Sequence, residues 1–299
     1  MAPKLAADAP GRFVVGWRHA QENNNRLDNT NWMRPFDTAG KPLADAKMLA
    51  HETDALPSID MAPSGEFVIV LGRTVPVGEM NFDQERPQFL FFDADFLPKH
   101  ESPYLVDTSL EMAYSLLSAV SLNGNGELAI AYVDASITSF DRVRRLRLRT
   151  FSSDGSAISH PVEVESSTVW GLSVQWLNNE HFVVAWMDGG RYADNEGKWQ
   201  VFDKTGQAVS PLFGSDRARG WGGILKKSEA EFAIAWTTES GPVLIGSTLE
   251  TQLAEVPLNV SNRVLPHSFI DYSVGNGFES NLGLPLSVAS LETGQFAAV

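Results

Sequence analysis

Cysteine is missing from all 299 residues. That excludes a disulfide framework, thiolate catalysis and any cysteine-based metal site, and it leaves both the cytosol and an exported setting open. Long apolar runs are missing too. None approaches the roughly 18 residues that a membrane span needs, and the opening MAPKLAADAPG has no basic stretch followed by an apolar one. The expectation is a cytosolic protein or an excised mature domain carrying an added methionine, with no membrane insertion. Positive charge is scarce: 23 basic against 37 acidic residues give a net charge of -14, which repels nucleic acid and anionic lipid. The six histidines (His19, His51, His100, His160, His181, His267) are scattered without an H-x-x-x-H pair, which argues against zinc. There is no G-x-S-x-G elbow, P-loop or dinucleotide fingerprint, and NGNGEL at 123–128 reads as a hairpin turn with no helix behind it to receive a phosphate.

What the chain does have is one phrase, written repeatedly. GRFVVGW at 11–17 returns as GEFVIVL at 65–71, GELAIAY at 126–132, EHFVVAW at 180–186, AEFAIAW at 230–236 and GQFAAV at 294–299. The anchors Phe13, Phe67, Leu128, Phe182, Phe232 and Phe296 recur at steps of roughly 50 to 64 residues, a period that belongs to repeat architectures. Four positions after the first five anchors stand Trp17, Leu71, Tyr132, Trp186 and Trp236, with Val, Ile, Ala or Gly between. Such a continuous apolar run marks a strand buried on both faces, here strand b.

About ten residues before strand b comes a small-residue strand a: PSIDMA at 57–62, LSAVSL at 117–122, LSVQWL at 172–177 and PLSVAS at 285–290. After strand b comes strand c with a turn: MRPFDTAG at 33–40, LFFDADF at 90–96, LRTFSSDG at 148–155 and WQVFDKTG at 199–206. The Asp of these turns suits an Asx turn and the Gly a left-handed position. A strand d follows. Four antiparallel strands per repeat, with almost no helical periodicity, predict an all-β chain folded as a β-propeller of four-stranded blades, because each blade buries its faces against its neighbours. The repeats run approximately 3–54, 55–113, 114–169, 170–219 and 220–284, with a partial a–b repeat at 285–299. Five blades is the preferred count, the C-terminal strands helping to close the ring, and six is the rival. Residues 261–284 form one long insertion rich in Gly, Asn and Ser.

The formula P-S-V-A, G-x-F-V-V-x-W, F-D-x-x-G resembles the tandem FVVxW / RFDxxG repeat propellers of bacterial secreted and cell-surface proteins. The resemblance covers nearly the whole chain, although LIGSTLETQLAEV in the fifth repeat lacks the Phe-Asp and the turn glycine. It implies a scaffold and an extracellular or cell-surface location, and no activity.

Alternating strand direction sends the b–c loops and the d–a crossovers to one face. That face collects RHAQENNNRLDNTN at 18–31, RTVPVGEMNFDQERP at 73–87, DASITSFDRVR at 134–144 and DGGRYADNEGK at 188–198. The crossovers add Tyr114, Trp170 and Trp221, the last two beside glycines that would leave an indole face open to a sugar ring. With Asp188, Arg191 and Asp194 they form the candidate ligand-binding set; the alternative is that the tryptophans pack between blades. Asp188, Asp194 and Glu196 could chelate calcium, though without an EF-hand spacing, and no other cofactor is expected. RVRRLRLR at 142–149 is basic enough for phosphate, yet its alternation with leucine equally fits a salt-bridged strand face.

Two functions follow. The first is a non-catalytic binding module for glycans or a cell-surface partner, or a purely architectural segment of a larger adhesin. The second is a glycoside hydrolase or lyase with paired carboxylates roughly 5 to 10 Å apart around the central funnel. Asp54, Asp60, Glu111, Asp216 and Glu279 are the carboxylates on offer for it.

Overall fold

The computed structural model describes residues 3–23, 26–51, 57–77, 82–108, 117–138, 141–166, 169–189, 195–218, 220–238, 241–248, 252–257, 288–290 and 296–298. None of the described residues is helical. The first blade is β1 (Lys4–Ala7), β2 (Phe13–Asn23), β3 (Arg26–Phe36) and β4 (Lys47–His51). The second is β5 (Ser58–Met61), β6 (Phe67–Val77), β7 (Phe82–Phe92) and β8 (Tyr104–Leu105), and the third β9 (Ser118–Leu122), β10 (Leu128–Thr138), β11 (Asp141–Phe151) and β12 (Val162–Ser166). The fourth is β13 (Val169–Trp176), β14 (His181–Asp188), β15 (Asn195–Asp203) and β16 (Phe213–Ala218), and the fifth β17 (Gly220–Lys226), β18 (Glu231–Thr238), β19 (Gly241–Thr248) and β20 (Gln252–Pro257). A two-stranded pair, β21 (Val288–Ser290) and β22 (Phe296–Ala298), follows.

Each blade is an antiparallel meander in chain order, and the first strands β1, β5, β9, β13, β17 and β21 pack on one another in succession. This is a β-propeller, with those strands innermost. The innermost strands of the first and fifth blades, KLAA and GWGGILK, lack the serine that marks the others and were not assigned from the sequence.

Packing explains why the repeated phrase has its form. In β14, Phe182, Val184 and Trp186 face the third blade, where they join Ala129, Ala131 and Val133. The intervening Val183, Ala185 and Met187 face the fifth blade and receive Phe232, Ile234 and Trp236. Leu128, Ile130 and Tyr132 lie in the same way against Val68 and Val70, and Phe67, Ile69 and Leu71 against Val14 of the first blade. The anchor and the positions two and four beyond it thus form a bulky leading face, and the positions between form a smaller trailing face. Bulk into small is how period-two strands fill an interface at crystal-like density. Each such large side chain, fully buried, contributes about 1.5–3 kcal/mol.

The small polar residues of the innermost strands have a separate cause. These strands do not pair with each other across blades, so their outward N–H groups need other acceptors. Ser58 Oγ accepts from Val120 N at 3.2 Å, Asp60 Oδ2 from Leu122 N at 2.7 Å, and Ser121 Oγ from Trp176 N at 3.1 Å. One blade's side chains cap the next blade's backbone.

The c–d turns are as expected. Asp37 Oδ1 accepts from Ala39 N and Lys41 N, and Asp203 Oδ1 from Thr205 N and Gln207 N. Gly40, Gly155 and Gly206 hold the positive φ that closes these turns. In the second blade Phe96 takes that place at φ 64°.

Candidate functional site

The face carrying the b–c connections is built differently from what the sequence suggested. In the first three blades strands b and c are each 11 residues long and continue as paired ribbons, from Phe13↔Phe36 to Asn23↔Arg26, Phe67↔Phe92 to Val77↔Phe82, and Leu128↔Phe151 to Thr138↔Asp141. Most of the expected loops at 18–31, 73–87 and 134–144 are therefore two-stranded ribbons. In the fourth and fifth blades strand b has only 8 residues. These stretches carry too little hydrophobic alternation to read as strands, so their sequence reads as polar loop.

At the base of the third ribbon sits a buried polar network shared with the second blade. Tyr132 donates its hydroxyl to Asp107 Oδ2 at 2.7 Å. Arg147, directly across the ladder from Tyr132, reaches Asp107 Oδ2 at 3.4 Å and Asp134 Oδ2 at 3.6 Å. Burial pushes the Asp134 carboxyl above its usual range, with Arg147 and Arg145 pulling the other way. Burial, then the charge of Asp107, likewise pushes the Tyr132 phenol up, so it remains a donor. Asp107 is fully buried, whereas Asp134 is 5% exposed, and its Oδ1 has no hydrogen-bond partner among the described residues. Sequence reasoning missed this set. The available signal was Tyr132, a phenol at a repeat position that elsewhere carries Trp or Leu, with an arginine run one strand away.

That arginine run is a paired strand face and not a phosphate site. Arg149 donates to Val106 O at 2.8 Å and to Ser159 O at 3.1 Å, and Arg145 pairs with Glu163 at 3.9 Å.

Of the candidate ligand-binding set, Asp188 ends β14, where Lys198 Nζ lies 2.5 Å from its Oδ2 and 3.6 Å from Glu196 Oε2. One ammonium thus bridges the two carboxylates and offsets half of their charge. Trp170 and Trp221 lie on the innermost strands β13 and β17, not on crossovers as expected, next to bulges between Val169 and Leu172 and between Trp221 and Gly223. Tyr114, Arg191 and Asp194 lie outside the described residues, and the set is not seen to converge. Among the described residues no three acidic or histidine side chains gather as a metal site.

Of the funnel carboxylates, Asp54, Glu111 and Glu279 lie outside the described residues. Asp216 is on β16, the outermost strand of its blade, away from the funnel. Asp60 is on an innermost strand, and its burial raises the carboxyl to about 6 against the opposing hydrogen bond from Leu122 N. It shares its repeat position with Ser121 and does the same structural work, tying one blade to the next.

No protein-family profile and no curated protein matches the sequence. Solved structures do match the fold. A protein of unknown function from Dyadobacter fermentans DSM 18053 aligns at 11% identity over 99% of this chain and 88% of its own, with a TM-score of 0.57. The Hadza microbial sialidase Hz136 aligns at 10% identity over 86% of this chain, which spans 58% of the sialidase's length, with a TM-score of 0.50. An endo-arabinase from Bacteroides thetaiotaomicron VPI-5482 aligns at 9% identity over 87% of this chain and 94% of its own, with a TM-score of 0.43. These likenesses are of fold. The sialidase overturns the expectation of a non-catalytic binding module, which rested on the repeat scaffold, the aromatic and polar loops and the absence of catalytic motifs: a sialidase shares that scaffold.

Proposed function

We propose that the chain is a propeller glycoside hydrolase working at its ribbon face. The observation that carries this reading is the Asp134 cluster. Cleaving a glycosidic bond needs a carboxyl that still holds a proton near neutral pH, and burial raises the proton affinity of Asp134, whose unpartnered Oδ1 is itself buried, at the base of a ribbon. Arg147 lies on the same carboxyl and would steady the charge left when the proton departs. Asp107, which holds the Tyr132 hydroxyl and reaches the Arg147 guanidinium, is a positioning residue. The sialidase that shares the fold supports sugar as the substrate class.

The test is a panel of chromogenic glycosides and polysaccharides, sialyl and arabinosyl linkages included, run with wild type and Asp134→Asn. We expect hydrolysis by wild type and its loss in an Asp134→Asn protein with an unchanged thermal midpoint. A folded wild type silent across the panel would sink the reading, and activity that survives Asp134→Asn would move the acid elsewhere.

A further inference from the structure

Five leading faces exist in the five complete blades, and four of them are buried by the blade before. Phe67, Ile69 and Leu71, or Phe182, Val184 and Trp186, are closed off almost completely. The exception is the first blade. By the same register its leading face is Phe13, Val15 and Trp17, joined by their ladder partners Phe36 and Trp32 on β3, Leu5 on β1 and Met48 on β4. Phe13, Val15, Trp17, Trp32 and Phe36 are only half-buried, Leu5 is 60% exposed and Met48 44% exposed.

We propose that this face is the docking site of the chain's own C-terminal pair β21–β22, which closes the ring on the first blade. The ladder supports that occupant. In every complete blade the anchor pairs with the residue six places before it, Met61↔Phe67 and Trp176↔Phe182 among them, and Ser290↔Phe296 repeats the same pairing. β21 packs on β17, extending the series of innermost strands by one. Ala297 and its ladder partner Ala289 then hold the register positions that face the following blade, and elsewhere such positions are filled by small residues such as Ala129 and Ala131. Small against Phe13, Val15 and Trp17 is the complementarity of the other interfaces. A second copy offering the same leading face would set bulk against bulk, and the fifth blade's own trailing residues, Ala233 and Ala235, are already buried.

The cysteine-free chain makes the test clean. Val15→Cys with Ala297→Cys, treated at high dilution with a short bis-maleimide, should cross-link within one molecule far faster than Thr205→Cys with Ala297→Cys, whose first site is on an exposed c–d turn. Cross-linking no faster than that control, or only between molecules, would overturn the proposal, the latter in favour of a second copy. A double-mutant cycle of Trp17→Ala and Ala297→Glu gives an independent reading by denaturation midpoint. Docking predicts that Ala297→Glu lowers the midpoint in wild type and much less in Trp17→Ala; equal shifts in both backgrounds would overturn it.

Discussion

The first and fourth blades write nearly the same strand, FVVGW and FVVAW, and the two have different surroundings. Trp186 is fully buried against the small residues of β10, whereas Trp17 is half-buried on a face that no complete blade precedes. A strand's sequence specifies which side is bulky; the neighbour decides whether that bulk is buried. The largest predicted effect follows. Trp186→Ala should cost about 3–5 kcal/mol by urea denaturation, the range for emptying a packed aromatic site. Trp17→Ala, losing only partial burial, should cost less than half of that. Equal losses would erase the distinction between the two faces.

The interface between the fourth and fifth blades offers a sharper version. A Cβ built on Gly197 would fall 2.6 Å from the Trp236 ring, whereas one on Gly214, in the neighbouring strand, would meet nothing nearer than 3.6 Å. Gly197→Val should therefore cost roughly 2–3 kcal/mol through overpacking, while Gly214→Ala leaves the midpoint nearly unchanged. If the two behave alike, the tight seating of Trp236 on β15 is wrong.

Much of this was legible in the sequence, and the limits have physical causes. The bulky and small alternation of strand b, the Asp and Gly of the c–d turns, and the antiparallel order were readable because each is a local requirement of the chain. The ribbons were not, since their residues carry no clear hydrophobic period. β1 and β17 were not, because KLAA and GWGGILK lack the serines by which Ser58 and Ser121 mark their strands. The Asp107, Tyr132, Arg147 and Asp134 set draws on two blades, so no single repeat contains its pattern.

Two equivalent blade ties differ in charge, and pH separates them. Asp60 and Ser121 both accept a backbone N–H from the next blade, but only Asp60 ionises. Its carboxyl rises from 3.8 in the unfolded chain to about 6 in the fold, chiefly through burial. Between those values the native state binds the extra proton, so this residue's contribution favours folding at low pH and is lost as pH rises through 6. Discounted for partial exposure, the loss is about 1–2 kcal/mol. Asp60→Asn keeps an acceptor for Leu122 N and should flatten that part of the stability profile, which chemical denaturation at pH 4 and pH 7.5 would measure. An unchanged profile would mean the carboxyl is solvated after all.

The smallest effect separates turns that otherwise match. Gly40, Gly155 and Gly206 occupy the left-handed position of their c–d turns without steric cost, and Phe96 occupies it at φ 64°, where a side chain is strained. Phe96 offsets that strain by packing: its ring lies 5.8 Å from that of Phe67 and 5.6 Å from the Arg12 guanidinium carbon. Strain of about 1 kcal/mol against a tilted aromatic pair and a half-exposed cation–π contact of about 1 kcal/mol each leaves a small balance on the side of packing. Phe96→Gly should therefore destabilise by about 1 kcal/mol at most, and Phe96→Ala, which keeps the strain and loses the ring, should destabilise by more. The order of the two variants is the informative result. If Phe96→Ala proves the milder, the turn carries no strain, and the phenylalanine is there for packing alone.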